Sequence, residues 1–101
     1  MAKTSSVEKN NKRRKLADQY AAKRAALKAI IMDQGKPMDE RFKAQLKLAA
    51  LPRNSAKIRS LNRSVFPGRP RAYCRKLAMS PIALRELGNL GLVPGLVKSS
   101  W

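Results

Sequence analysis

Only Gly35 and Pro37, of the chain's 5 glycines and 6 prolines, precede Pro52. Both residue types break regular elements, so the first half can be continuous helix while the second must turn repeatedly. From Ser6 to Asp33 the sequence is rich in Ala, Lys, Arg and Leu and predicts a long helix. Leu16, Tyr20, Leu27 and Ile31 recur near helical spacing, with Ala17, Ala21 and Ile30 widening a thin apolar stripe. A second helix is expected from Asp39 to Leu51, where Asp39 and Glu40 suit a helix N-terminus and Phe42, Leu46, Ala49 and Ala50 share one face. These apolar residues read as core. The short connection from Gly35 to Met38 lets the two helices fold back as a hairpin, and Pro52 stops the second.

Beyond Pro52 the reading changes. PRNSAKIRSLNRSVF, residues 52–66, holds Arg53, Lys57, Arg59 and Arg63 with isolated apolar residues between them, too polar to bury itself. It reads as an extended basic arm or, on the plainer reading, as a linker. Pro67-Gly68-Arg69-Pro70 is built to turn and presents Arg69, Arg71 and the ring of Tyr73 together, followed by Arg75 and Lys76. Ser80-Pro81 starts a short helix, with Ser as N-cap and Pro at the first helical position. Gly88 or Gly91 ends it. The expected architecture is mainly α: an N-terminal helical hairpin in residues 1–51, then in residues 52–101 the extended basic arm and a small turn-helix motif.

Charge narrows the function. The chain carries 23 Lys and Arg against 6 Asp and Glu, a net +17. The excess is spread evenly: residues 1–50 hold 13 basic and 5 acidic side chains, and residues 51–101 hold 10 and 1. Such a chain repels itself when compact and calls for a polyanion, with both halves facing it. The unpaired cations on the first helix and the thin stripes predict that its first turns order on binding and that the free chain is partly disordered. Guanidinium forks beside an aromatic ring are what phosphates and unstacked bases of folded RNA are met by. The candidate RNA-binding residues are Arg53, Lys57, Arg59, Arg63, Arg69, Arg71, Tyr73, Arg75, Lys76, Arg85, Lys98 and Trp101. Trp101 either packs on protein or stacks on a base.

Other functions find less support. With no His and one Cys there is no His general base, no internal disulfide and no zinc site of four Cys or His ligands. No phosphate-cradling Gly loop followed by Lys and Ser or Thr is present, so the chain reads as no enzyme, and Cys74 reads as a small semi-buried residue. No apolar run reaches the roughly 18 residues of a membrane span, and MAKTSSVEKNNKRRK lacks the apolar stretch of a secretory signal. It partly fits a mitochondrial presequence, against which Glu8 and the Lys-rich tract argue. The reducing cytosol is the expected compartment. The competing reading is a small basic helical DNA-binding or nucleoid protein, which would need base-reading polar residues that these Ala- and Lys-rich helices supply sparsely. A cationic membrane-surface peptide would want a stronger apolar face on the first helix.

Leu51-Pro-Arg-Asn-Ser, Asn62-Arg63, Gly68-Arg-Pro-Arg71, Arg75-Lys76, Arg85-Glu-Leu87, Pro94-Gly-Leu and the closing Lys98-Ser-Ser-Trp101 together resemble the family of the fourteenth small-subunit ribosomal protein in its bacterial form. The resemblance is close over the C-terminal half, and the Lys-rich first half has the length of the longer members. Shorter members bind a structural zinc through paired Cys-x-x-Cys motifs. Aligned on Asn62-Arg63 and Gly68-Arg69-Pro70, the ligand positions fall on Ser64, Pro67, Ser80 and Ala83, none of which supplies a thiolate. This looks like the zinc-free form, with no cofactor.

The resemblance implies a place in the head of the small subunit, bound to the major 3′ domain of its ribosomal RNA and touching the proteins numbered three, ten and nineteen. A contribution to assembly and to the shape of the head near the decoding sites would follow. It leaves bacterial and organellar ribosomes both open. The chemistry would be charge neutralisation: Lys and Arg between crowded RNA helices displace condensed counterions, and about eight phosphate contacts give a log–log salt slope of roughly −6 to −7.

Overall fold

Residues 2–99 are described by the structure, a computed structural model, so Trp101 and the expectations placed on it lie outside the described residues. Three helices and no strand form among them: α1 (Thr4–Met32), α2 (Met38–Ala50) and α3 (Pro81–Asn89). Backbone proximity separates two compact units, one made of the residues up to Val7 with those from Leu61 onward, the other of Glu8–Ser60.

In the Glu8–Ser60 unit, α1 and α2 are joined by the five residues between Met32 and Met38. Asp33 turns the chain by accepting the Gly35 N–H on Oδ1 at 3.1 Å. The last turn of α1 has no basic residue of its own. Arg41, in the first turns of α2, supplies one from outside, its Nε donating to the Ile31 carbonyl at 2.9 Å and answering an open acceptor at the negative end of the dipole. Asp39 and Glu40 sit in the first turn of α2, as their charge suits, and Leu51 leaves the helix in an extended conformation ahead of Pro52.

The sheltered stripe of α1 departs from the expected one. Leu16, Ala17, Tyr20, Leu27, Ile30 and Ile31 are sheltered as expected, but Ala21 is exposed, and Asn10, Arg13 and Arg24 share the protected face. Positions 10, 13, 17, 20, 24, 27 and 31 alternate steps of three and four along one line, half of it polar. On α2 the expected core face is the exposed one. Phe42 and Leu46 are 59% and 56% exposed, Ala49 and Ala50 are exposed, and the buried residue is Ala44. Helical spacing identified an apolar line on α2, but the line that is sheltered is Arg41, Ala44 and Leu48, the first held by its bond to the Ile31 carbonyl.

Residues 52–60, expected within an extended arm, alternate extended residues with two 3-10 turns, Arg53–Ser55 and Lys57–Arg59. Ser55 makes the first possible. It is 1% exposed, its hydroxyl donates to the Pro52 carbonyl and accepts from Arg24 Nη1 at 3.0 Å. Arg13 Nη1 reaches the Arg59 carbonyl at 3.5 Å. Two arginines of α1 thus satisfy polar groups of the basic segment.

The second unit is organised on the predicted turn. Gly68 has φ +68°, the left-handed conformation that a side chain resists. The first residues of the chain lie against it: the Ala2 N–H donates to the Pro67 carbonyl at 2.9 Å, and a Cβ on Gly68 would stand 3.0 Å from Val7 Cγ2. In α3, Ser80 caps the N-terminus by accepting the Ala83 N–H at 3.3 Å, and Pro81 follows. At the other end Gly91 (φ +70°) forms a Schellman closure, with Leu92 N–H donating to Leu87 O at 3.0 Å and Gly91 N–H to Gly88 O at 3.1 Å. Gly91 is therefore the stop, and Gly88 serves packing, since a Cβ there would meet Leu96 Cδ2 at 2.6 Å.

Candidate RNA-binding surface

The cations of the second unit are held out by a small knot of buried serines. Ser64 and Ser80 are 4% and 0% exposed, and the Ser64 hydroxyl accepts the Ser80 N–H at 3.1 Å. Ser80 Oγ in turn accepts from Ala83, itself 2% exposed, so the knot runs into the start of α3. Ser64 N–H donates to Arg69 O at 3.0 Å and Val65 N–H to Ala78 O at 3.1 Å, tying both flanks of the arginine turn to the same centre. Three of the four positions that the resemblance aligns with metal ligands are thus the buried centre of the unit, and Pro67 is half-buried beside them in sequence. They offer hydroxyls, a methyl and a pyrrolidine ring. No group of three or more His, Cys, Asp or Glu that could hold a metal occurs among the described residues.

Between the turn and α3, Cys74 and Met79 form an isolated antiparallel bridge, with Cys74 N–H donating to Met79 O at 2.9 Å. Ala72, two residues before Cys74, and Ala78, directly before Met79, have φ 53° and 54°, left-handed positions costly for alanine. This bends the chain so that Tyr73 and Cys74 are half-buried while Arg75 and Lys76 stand in solvent.

The candidate residues fall into three kinds. Arg53, Lys57, Arg69, Arg71, Arg75, Lys76, Arg85 and Lys98 are exposed, and none of their side chains makes a hydrogen bond or ion pair among the described residues. Arg59 is exposed but steadied by Asn54, whose Oδ1 accepts from its Nη1 at 3.1 Å. Arg63 is different. It is half-buried, its Nη1 donates to the Gly68 carbonyl at 2.9 Å, and its buried Nε has no partner among the described residues, so the side chain braces the turn from within.

Two grooves gather some of these groups. Arg69 and Arg71 rim an open groove of about 670 Å³ floored by Phe66, Pro67, Pro70 and Ile82. Arg85 and Lys98 meet in a second, of about 500 Å³, whose apolar part is Leu84, Leu96 and Val97. Arg75 and Lys76 line neither. Sequence reasoning did not single out Phe66 or Glu86 of the first groove. Their signal was available: Glu86 is the lone carboxylate among residues 51–101, and Phe66 directly precedes the turn. The bracing role of Arg63 and the inward-facing Arg13 and Arg24 had no sequence signal, because an arginine reads the same whether it meets a phosphate or a carbonyl.

No helix among the described residues is long and apolar enough to cross a membrane. A family profile described as ribosomal protein S14p/S29e matches residues 47–100, which takes in the serine knot, the turn, the second groove and all of the first groove's lining but Ala2. The chain is 80% identical over its full 101 residues to the small ribosomal subunit protein uS14 of Mesorhizobium japonicum, whose whole length is covered. It is 77% and 70% identical, with both chains again covered completely, to proteins of the same name from a Chelativorans species and from Rhizobium meliloti.

Proposed function

Because this chain belongs to the ribosomal protein S14p/S29e family, we infer that it is a structural constituent of the small ribosomal subunit, binding ribosomal RNA and catalysing nothing. Its relatives are bacterial, which accords with a cytoplasmic subunit of bacterial type rather than an organellar one.

The observation that carries the mechanism is the exposed pair Arg69 and Arg71, whose side chains make no hydrogen bond or ion pair among the described residues and are mounted on a turn fixed by Gly68, Arg63 and the serine knot. A rigid mount lowers the ordering cost of each phosphate contact, and a guanidinium meets phosphate in a bidentate fork. Arg75, Lys76, Arg85 and Lys98 are further exposed cations of the same unit, with Tyr73 as a partly sheltered aromatic neighbour, and Arg53, Lys57 and Arg59 are exposed cations of the Glu8–Ser60 unit. Residues 52–101 carry the main RNA contact and residues 1–51 add a basic helical arm. We place the protein in the head of the subunit, on the major 3′ domain of the RNA and beside the proteins numbered three, ten and nineteen. There it supports assembly and the shape of the decoding region.

Sedimentation of the tagged chain from a lysate tests this. Co-migration with small subunits that survives high salt and is lost after ribonuclease digestion is the expected result. Migration with DNA, or as free protein indifferent to ribonuclease, would instead support the nucleoid reading.

A further inference from the structure

The groove beside the arginine turn has more than cationic character. Its apolar lining includes Phe66, 54% exposed, and Ile82, 48% exposed, together with Pro67 and Pro70. Arg69 and Arg71 form one rim. The remaining polar group is Glu86, exposed on α3, whose carboxylate makes no hydrogen bond or ion pair among the described residues.

A carboxylate is out of place on a surface that faces phosphates. It is repelled by them, and here it is not neutralised by the two guanidiniums that share its groove. What a carboxylate can do on RNA is accept N–H groups from a base edge. Guanine offers two adjacent ones, N1–H and the N2 amino group, which match the two carboxylate oxygens. Adenine and cytosine offer a single amino group there, and uracil a single imide N–H. An exposed aromatic ring supplies the stacking face that an unstacked base needs, and RNA presents its edges for reading only where it is unstacked.

Building on the ribosomal RNA reading above, we propose that this groove receives one unpaired guanine of the RNA. Its base lies on Phe66, its Watson–Crick edge donates to Glu86, and its flanking phosphate is held by Arg69 and Arg71. The remainder of the surface positions the chain on phosphates, whereas this groove selects a base.

The test uses the full chain and a transcript of the small-subunit RNA, with affinity measured across a salt series. Selective binding by the unaltered chain is the condition set by the functional reading; its absence would defeat that reading itself. Given that binding, E86Q separates the two accounts by sign. On charge alone, removing a negative group from a cationic surface tightens binding. With a guanine read by Glu86, E86Q weakens binding roughly 10- to 100-fold at every salt concentration and leaves the salt slope unchanged. Glu86 is exposed, so the substitution leaves the fold intact, which the helical circular dichroism signal checks. Glyoxal-type probing of guanine N1 and N2 gives the second readout: one unpaired guanine is protected by the unaltered chain and freed by E86Q and by Phe66→Ser. Affinity equal or higher for E86Q, or no guanine whose protection depends on Glu86, overturns the proposal.

Discussion

The hydroxyl of Ser64 accepts the backbone N–H of Ser80, sixteen residues further on, at 3.1 Å, and both residues are buried. A single side-chain oxygen thus joins the segment entering the arginine turn to the start of α3. A small fold with few large buried side chains depends on such a link, as others of its size depend on a metal or a disulfide.

Ser64→Ala leaves the buried Ser80 N–H without an acceptor, at a cost of about 1–3 kcal/mol. Ser60→Ala removes a hydroxyl that donates to Lys57 O at an exposed site and costs well under that. Urea midpoints of the two variants, with amide exchange at Ser80 as a local readout, should differ in that order. Equal midpoints would show that the knot holds nothing together.

Gly68→Ala meets two penalties, the left-handed φ of +68° and a Cβ placed 3.0 Å from Val7 and 3.3 Å from Ala2. Gly95→Ala meets only the first, since Gly95 has φ +73° with open space around it. Alanine at Gly95 is expected to cost about 1 kcal/mol, and at Gly68 more than that. Limited trypsin digestion distinguishes them further: cleavage after Lys3 should accelerate in the Gly68 variant alone, because only there is the N-terminal segment pushed off the turn.

Ala72 and Ala78 occupy the conformation that Gly68 needs, without being glycine. Replacing either with Gly relieves about 1 kcal/mol of backbone strain and restores part of it as unfolded-chain entropy. Ala72→Gly and Ala78→Gly should therefore be neutral or mildly stabilising in thermal melts. A clear drop in melting temperature would mean that their methyl groups pack more strongly than the backbone is strained.

Arg69→Ala and Arg71→Ala should weaken RNA binding more than Lys9→Ala, an exposed cation on α1, although each removes one charge. With Arg63 engaged by the Gly68 carbonyl, the expected phosphate contacts fall from about eight to about seven, for a salt slope of roughly −5 to −6. Arg63→Ala should then reduce stability while leaving the slope nearly unchanged. Parallel filter-binding titrations and melts decide it; a slope lowered by a full unit in Arg63→Ala would return that residue to the phosphate contacts.

The helices were legible because their signals are local. Ser80-Pro81 began α3 and Gly91 closed it, and the expected spans of α1 and α2 differ from the observed ones by two residues or fewer at every end. The packing of α2 was not legible. Phe42 and Leu46 make its apolar line, yet Ala44 is what the unit shelters, and only the neighbouring elements decide that. Arg24 and Arg13 were equally hidden, since their partners, Ser55 and the Arg59 carbonyl, lie 31 and 46 residues away. In the candidate surface, the turn and its arginines could be read from Pro67-Gly68-Arg69-Pro70. The groove could not, because Phe66 and Glu86 are brought together by the bend at Ala72 and Ala78.

The residues buried among those described are alanines, serines and one asparagine, while Ile58 is 91%, Val97 86% and Val65 75% exposed. A chain that shelters so little of its apolar surface has little to withhold from a protease until RNA and neighbours cover it. Copies made beyond the supply of RNA are therefore the first to be cleared.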